Sequence, residues 1–204
     1  MIVGFQDYKA KYNFSDVTGV IHVGAHHGQE LKEYVSTFGD LNIHWFEPLQ
    51  DAFEILKQNT LVYKKSYIYP FALGDRKDDI EMFVDTGNDG QSSSLMKPIG
   101  HLEMYPHITF EKKQKVHVRT LDSFNIINSN ILVLDTQGYE MKCLLGAINT
   151  LKNIKYVFSE FNTIEMYEGC PTFEELNQFM IEQGFLLKEY YITDGSWGDA
   201  FWSK

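Results

Sequence analysis

The sequence predicts an α/β fold: a mostly parallel sheet with helices on both faces, closed by an antiparallel C-terminal hairpin. Three observations carry this. Short β-branched runs end on small or acidic residues, helix-spaced apolar residues follow them, and Asp194-Gly195 separates two extended segments near the C-terminus.

The bulk properties set the frame. With 204 residues, 44% hydrophobic and 15% aromatic, the chain has the size of one domain, 1–204, with an ample core. A formal charge of −10 weighs against a nucleic-acid partner, whose phosphates are met by clustered Lys and Arg. The densest basic stretch, Lys112, Lys113 and Lys115, adjoins Glu111 and reads as a solvated face. Cys143 and Cys170 form no Cys-x-x-Cys pair, so neither a disulfide framework nor a cysteine zinc site is expected, and residence is expected to be reduced and cytoplasmic. No signal-like leader follows Met1, and no apolar run approaches the ~18 residues that span a bilayer, so a soluble protein is expected.

Taken in order, the first 18 residues place Phe5, Tyr8, Tyr12 and Phe14 where a short helix could dock on the sheet edge, as core packing or as a flap. Val20–Val23 suits a buried parallel strand, and Gly24, Ala25 and Gly28 allow a sharp turn and close approach of backbone to a ligand. Leu31, Tyr34, Val35 and Phe38 then fall at helical spacing. A strand over 43–46 ends on Glu47, about 20 residues past the glycine loop, where nucleotide-binding folds hold ribose hydroxyls. The glycines read Gly-x-x-x-Gly rather than Gly-x-Gly-x-x-Gly, so the spacing for a dinucleotide pyrophosphate is missing and S-adenosylmethionine fits better.

Leu49, Phe53 and Leu56 predict a helix, and Tyr67 to Phe71 a third strand closing on Ala72-Leu73-Gly74-Asp75, an adenine contact or an ordinary turn. Residues 79–119 interrupt the rhythm. Ile80, Met82 and Val84 alternate as a strand does, as do Val116-His117-Val118, around a polar segment at 86–94 and a Met- and His-containing stretch to His107. This insertion reads as an acceptor lid or as a disordered segment. Regular order returns at Ile131–Asp135, followed by a helix expected to face Leu144, Leu145, Ile148 and Leu151 inward, and at Tyr156–Glu160. Glu47, Asp75, Asp135 and Glu160 are then expected to rim one crevice beyond the strand ends. Thr172-Phe-Glu-Glu175 is a capping box opening a helix that stops before Gly184, ahead of the final hairpin.

Six fragments in this order resemble the FkbM-type methyltransferases: Val-Gly-Ala-His-His-Gly at 23–28, Phe-Glu-Pro at 46–48, Ala-Leu-Gly-Asp at 72–75, Arg-Thr-Leu-Asp at 119–122, Leu-Asp-Thr-Gln-Gly-Tyr-Glu at 134–140 and Trp-Gly-Asp-Ala at 197–200. The resemblance implies a class I, Rossmann-like seven-stranded sheet and methyl transfer from S-adenosylmethionine, leaving S-adenosylhomocysteine, to oxygen on a sugar or other small-molecule acceptor. It implies that Gly24, Ala25, His26 and Gly28 line the methionine and ribose, that Glu47 holds the ribose, that Ala72 and Leu73 meet the adenine, and that Asp135 borders the cofactor. His22 departs from the pattern, standing where many such enzymes have an acid; it is a buried histidine or a contact to the cofactor amino group.

For the chemistry, Asp135 is the leading group to receive the acceptor's proton or position its hydroxyl, with capping of the next helix as the structural alternative. Glu140, Tyr139 and Glu160 come next, and Glu160 could join Asp135 on a divalent cation. His26 and His27 suit a general base or simple loop polarity. Tyr105, Tyr167, Trp197 and Trp202 could stack on a sugar ring. A nicotinamide-dependent oxidoreductase and a non-catalytic cofactor-binding module are the competing readings.

Overall fold

The structure, a computed structural model, describes residues 4–204; the first three positions of the N-terminal segment lie outside it. Seven strands form one sheet: β1 (Gly19–Val23), β2 (Asn42–Phe46), β3 (Ser66–Tyr69), β7 (Ile131–Leu134), β8 (Tyr156–Asn162), β9 (Leu186–Thr193) and β10 (Trp197–Ser203), in the order β3-β2-β1-β7-β8-β10-β9. The first five neighbours run parallel, and β10 is antiparallel to both β8 and β9. The chain order reverses between β1 and β7, where open α/β sheets bind ligands at the carboxyl ends of their strands.

Both faces are covered, which is why β1 and β7 are apolar at nearly every position. One face packs Val20, Ile43, Trp45 and Val133 under α1 (Phe5–Lys11), α2 (Leu31–Phe38) and α3 (Gln50–Thr60). The other packs Ile21, Val23, Leu132 and Leu134 under α5 (Glu140–Leu145) and α6 (Phe173–Glu182). The N-terminal aromatics belong to the core: Phe5 and Tyr8 meet Phe158 edge-to-face at 4.7 and 5.1 Å. They dock on the sheet's face rather than its edge, each such pair adding about 0.5–1.5 kcal/mol beyond burial.

Several local features follow sequence chemistry. Thr172 Oγ1 accepts from Glu175 N while Glu175 accepts from Thr172 N, completing the capping box. Asp194 (φ 44°) and Gly195 (φ 89°) are both left-handed in the short turn, residues 194–196, that joins β9 to β10.

Other features differ from expectation. The third strand stops at Tyr69 because Pro70 cannot donate to a ladder, and β4 (Ala72–Leu73) crosses to a second sheet of order β4-β6-β5, with β5 (Asp78–Val84) and β6 (Lys112–Arg119) antiparallel. Helix α5 ends at Leu145, since a Cβ on Gly146 would lie 1.9 Å from the Gly74 carbonyl oxygen. A 3₁₀ turn over Thr150–Lys152 follows, so Cys143, Leu144, Ala147 and Leu151 face inward while Leu145 and Ile148 are exposed. Strand β8 continues past Glu160, which pairs across the ladder with Asp199. Lys113 and Lys115 reach Glu81 and Asp79 at 3.5 Å across the exposed face of the small sheet.

The segment joining β5 to β6 is held by its own polar groups. Asp85 Oδ1 accepts from the amides of Gly87 and Asn88 at 2.7 and 2.8 Å, and Oδ2 from Ser92 N. Phe83 exchanges two backbone bonds with Ser94, and a short helix, α4 (Gly100–Met104), follows. No helix among the described residues is long and apolar enough to cross a membrane.

Candidate active site

The loop after β1 is drawn against two neighbouring strands. Gly24 and Ala25 donate their amides to Phe46 O at the end of β2, and Asp135 N donates to Val23 O. Gly24 has φ 81°, and a Cβ there would stand 1.7 Å from the Asp135 carbonyl oxygen, so only glycine lets these two strand ends meet. A cleft with about 940 Å³ of empty space, open at its mouth, lies beside this junction. Gly24, Ala25, His26, Glu47, Ala72 and Leu73 line it, as do Asp135 and Tyr139. Gly28 does not: its missing Cβ faces Leu56 on α3 at 2.7 Å, so it serves helix packing.

Glu47 is the fixed acid of this cleft. Its Oε2 accepts from His26 N and its Oε1 from Leu49 N, each at 2.8 Å. Each oxygen keeps a lone pair for a ligand hydroxyl. Burial pushes its pKa up to about 7 against the pull of those two amides. Apolar walls come from Phe46, Phe71, Met82 and Leu95, a surface suited to a purine ring. Glu30 closes the far wall, with Oε2 buried and without a hydrogen-bond partner. This donor and acceptor set fits an adenosyl cofactor: a ribose acid, an apolar slot and an unmatched carboxylate.

His22 does not reach the cleft. It is 3% exposed, hydrogen-bonded at Nδ1 to the Tyr34 hydroxyl at 2.8 Å, and held neutral by burial, which lowers its pKa to about 4. Asp75 is also outside: it pairs with Lys142 at 3.0 Å and lines neither cavity. The four acids expected around one crevice are thus three, divided between two chambers.

The second chamber, about 800 Å³, adjoins the first. Asp135, Gln137 and Gln91 line both. Glu160, Asn162, His101, Tyr105, Tyr167 and Trp197 complete most of its wall. Trp202 does not contribute, being fully buried with Nε1 bonded to Asn177. Gln137 organises the acids. Its Nε2 donates to Asp135 Oδ1 at 2.8 Å and Glu160 Oε1 at 2.9 Å, while its Oε1 accepts from the Tyr167 hydroxyl at 3.0 Å. The Gln137 amide thus bridges the two carboxylates. Among the described residues, His26, His27 and Asp89 are the group whose donor atoms could gather on a metal. Burial, then Asp135, raises the Glu160 pKa well above its ordinary value.

Glu140 lies elsewhere in this network. It is 1% exposed and lines neither chamber. Its Oε1 accepts from Thr136 N, Thr136 Oγ1 and Gly138 N at 2.9, 3.0 and 3.2 Å, which fixes the turn where Gln137 (φ 54°) and Gly138 (φ 92°) are left-handed. His26 stands on the rim, with Nε2 2.8 Å from Asp89 O and its ring stacked on His27. Tyr139 presents a phenol whose pKa burial raises to about 12. Sequence reasoning passed over Glu30, Gln137 and His101. Gln137 lies within the 134–140 motif and Glu30 two residues past the 23–28 motif, and a Gln-Gly turn close after a strand-end acid was the available signal for Gln137.

Comparison with known proteins agrees with this geometry. The model of the methyltransferase FkbM domain matches residues 22–187. The 2-O-methyltransferase NoeI of Sinorhizobium fredii is 23% identical over 180 residues, 78% of this chain and 74% of that protein. The solved FkbM methyltransferase of Methylobacillus flagellatus superposes with a TM-score of 0.64 at 13% identity, covering 96% of this chain, which spans 45% of that one. The M. capricolum TrmK structure, solved with S-adenosylhomocysteine, gives 0.52 at 11% identity and covers all of this chain and 70% of its own. The nicotinamide reading falls with these findings. Together with an acid oriented by two backbone amides beside an apolar slot, they place the chain in the FkbM family of S-adenosylmethionine-dependent methyltransferases.

Proposed function

We propose that this chain is an O-methyltransferase whose acceptor is an uncharged, hydroxyl-rich small molecule of the sugar or glycan class. The observation that carries the reading is that Asp135 and Gln137 line both chambers, at the doorway between a cofactor cleft and a polar cavity. Bound S-adenosylmethionine supplies the methyl group, which passes in line to the acceptor oxygen as the bond pair returns to sulfur. The protein's task is alignment and proton handling. Asp135 receives the hydroxyl proton. Glu160, kept protonated, donates a hydrogen bond to a second acceptor oxygen, so that two neighbouring carboxyls take opposite roles.

The cavity wall supports the acceptor class. Asp135, Glu160 and Asp194 line it and no Lys or Arg does, which disfavours phosphorylated or carboxylated acceptors. Tyr105 and Trp197 offer ring faces to a sugar. NoeI, by its name, methylates oxygen. The segment between β5 and β6 acts as the lid: Gly90, Gln91 and Ser93 border the cleft, and Ser92, His101 and Tyr105 border the cavity.

The test is S-adenosylhomocysteine release with neutral sugars and their phosphate and uronate counterparts, products being checked for one added methyl. Neutral acceptors are methylated, and Asp135→Asn lowers turnover about a hundredfold or more, the contribution of a positioned base, while S-adenosylhomocysteine affinity stays within about threefold. Wild-type turnover in Asp135→Asn, or methylation of the anionic acceptors alone, refutes the proposal.

A further inference from the structure

We propose that Glu30 is the anion that holds the α-ammonium of the bound cofactor's methionine portion. The inference rests on the cofactor assignment and follows from how each nearby carboxylate is used. Glu47 has an amide on each oxygen. Glu140 is turned away into three donors. Asp135 shares the Gln137 amide with Glu160 at the doorway to the acceptor cavity. Glu30 alone among the acids lining the cofactor cleft has a buried oxygen without a partner.

Its position explains why. Glu30 stands at the N-cap of α2, one turn before Tyr34, whose hydroxyl is tied to His22. His22 on β1 is buried, neutral and turned to Tyr34, and the carboxylate at this end of the cleft comes from the start of the helix. No Lys or Arg lines the cleft, and the ring nitrogens of His26, a basic side chain of its wall, are engaged by Asp89 O and Gln29 Nε2. A buried carboxylate oxygen lacking a partner is costly, and an ammonium offers three donors and a full positive charge. Burial, the largest influence, and the neighbouring Asp135 raise the Glu30 pKa against its own backbone amide and the His26 ring, and an arriving cation pulls it back down, so any proton held there is released.

The experiment is calorimetric titration of S-adenosylhomocysteine and of its deaminated analogue, in which hydrogen replaces the α-amino group. Wild type prefers S-adenosylhomocysteine by about tenfold or more, as a charge-assisted hydrogen bond would give. Glu30→Gln brings the two ligands within about threefold, through loss of S-adenosylhomocysteine affinity alone, and retained binding of the analogue shows the cleft intact. A preference that survives in Glu30→Gln overturns the proposal, as does equal binding by wild type or a folded variant that binds neither ligand. Should the variant fail to fold, titrations of wild type in two buffers of different ionisation enthalpy decide: S-adenosylhomocysteine releases more protons than the analogue if Glu30 meets the ammonium, and equal release overturns the idea. Failure of wild type to bind either ligand removes the cofactor assignment and this proposal together.

Discussion

Cofactor affinity should depend on pH through Glu47, and adenosine isolates the effect because it carries the ribose hydroxyls without an ammonium. In the empty cleft the Glu47 pKa is raised from 4.5 to about 7. Burial is the main cause, Asp135 adds to it, and the amides of Leu49 and His26 oppose it. Ribose hydroxyls donate to the ionised form, so binding favours the carboxylate and its pKa falls in the complex. If it returns to its ordinary value, affinity drops roughly thirtyfold between pH 8 and pH 5.5, since each unit below the free-state value costs about tenfold. The sign for the empty protein is the reverse. A raised carboxyl pKa means the folded state holds its proton more tightly than the unfolded chain, so stability is lost as pH rises from 4.5 to about 7. That loss reaches roughly 3 kcal/mol, and adenosine restores it. Isothermal titration of adenosine across this range measures the binding slope and denaturant unfolding of the empty protein the stability slope, each with Glu47→Gln as control. A flat wild-type profile, or an unchanged slope in Glu47→Gln, refutes the reasoning.

Glu140 and the two C-terminal tryptophans separate site from scaffold. Glu140→Ala strands the amides of Thr136 and Gly138, costing roughly 2–3 kcal/mol and lowering Tm by about 4–12 °C. Glu140→Gln keeps an acceptor oxygen, and with a carboxyl pKa near 7 relieved, its melting temperature at pH 8 equals or exceeds wild type; a lower value shows that the charge itself is needed. Trp202→Ala removes a fully buried indole and costs about 3–5 kcal/mol. Trp197→Ala, at the cavity wall, raises acceptor KM with a smaller change in Tm, and a matching loss of stability in both variants overturns that distinction.

The order of elements was legible because each is dictated by neighbours in sequence. β-branched runs, the Thr172 capping box and the Asp194-Gly195 turn are short-range signals, and the structure keeps all of them. The errors arose where distant backbone intervened. Leu145 and Ile148 satisfy a helical pattern, but Gly146 must pass the Gly74 carbonyl, and the helix ends before the pattern does. Asp75 sits at a strand end like the other acids, yet Lys142 on α5 draws it outward. Gly28 looks like a ligand-facing glycine until Leu56 is placed beneath it. A residue type and its place along a strand can be read locally. The direction of its side chain is set by partners 28 to 72 positions away.

The acids illustrate what then decides a role. Five carboxylates gather near the ends of β1, β2, β7 and β8, and residue type does not separate them. Their hydrogen-bond partners do. Glu140, with three donors on one oxygen and no cavity beside it, holds a turn. Glu47, with one amide per oxygen, is oriented but unsaturated, as a binder of hydroxyls must be. Asp135 and Glu160 share one amide, and burial raises the Glu160 pKa well above its ordinary value. The amide that joins them also accepts from Tyr167, whose hydroxyl reaches Ser92 O in the segment over both chambers. The segment over both chambers is thus joined to Gln137, and through Gln137 to both acids, by one tyrosine hydroxyl that lies within reach of Ser92 O and Gln137 Oε1.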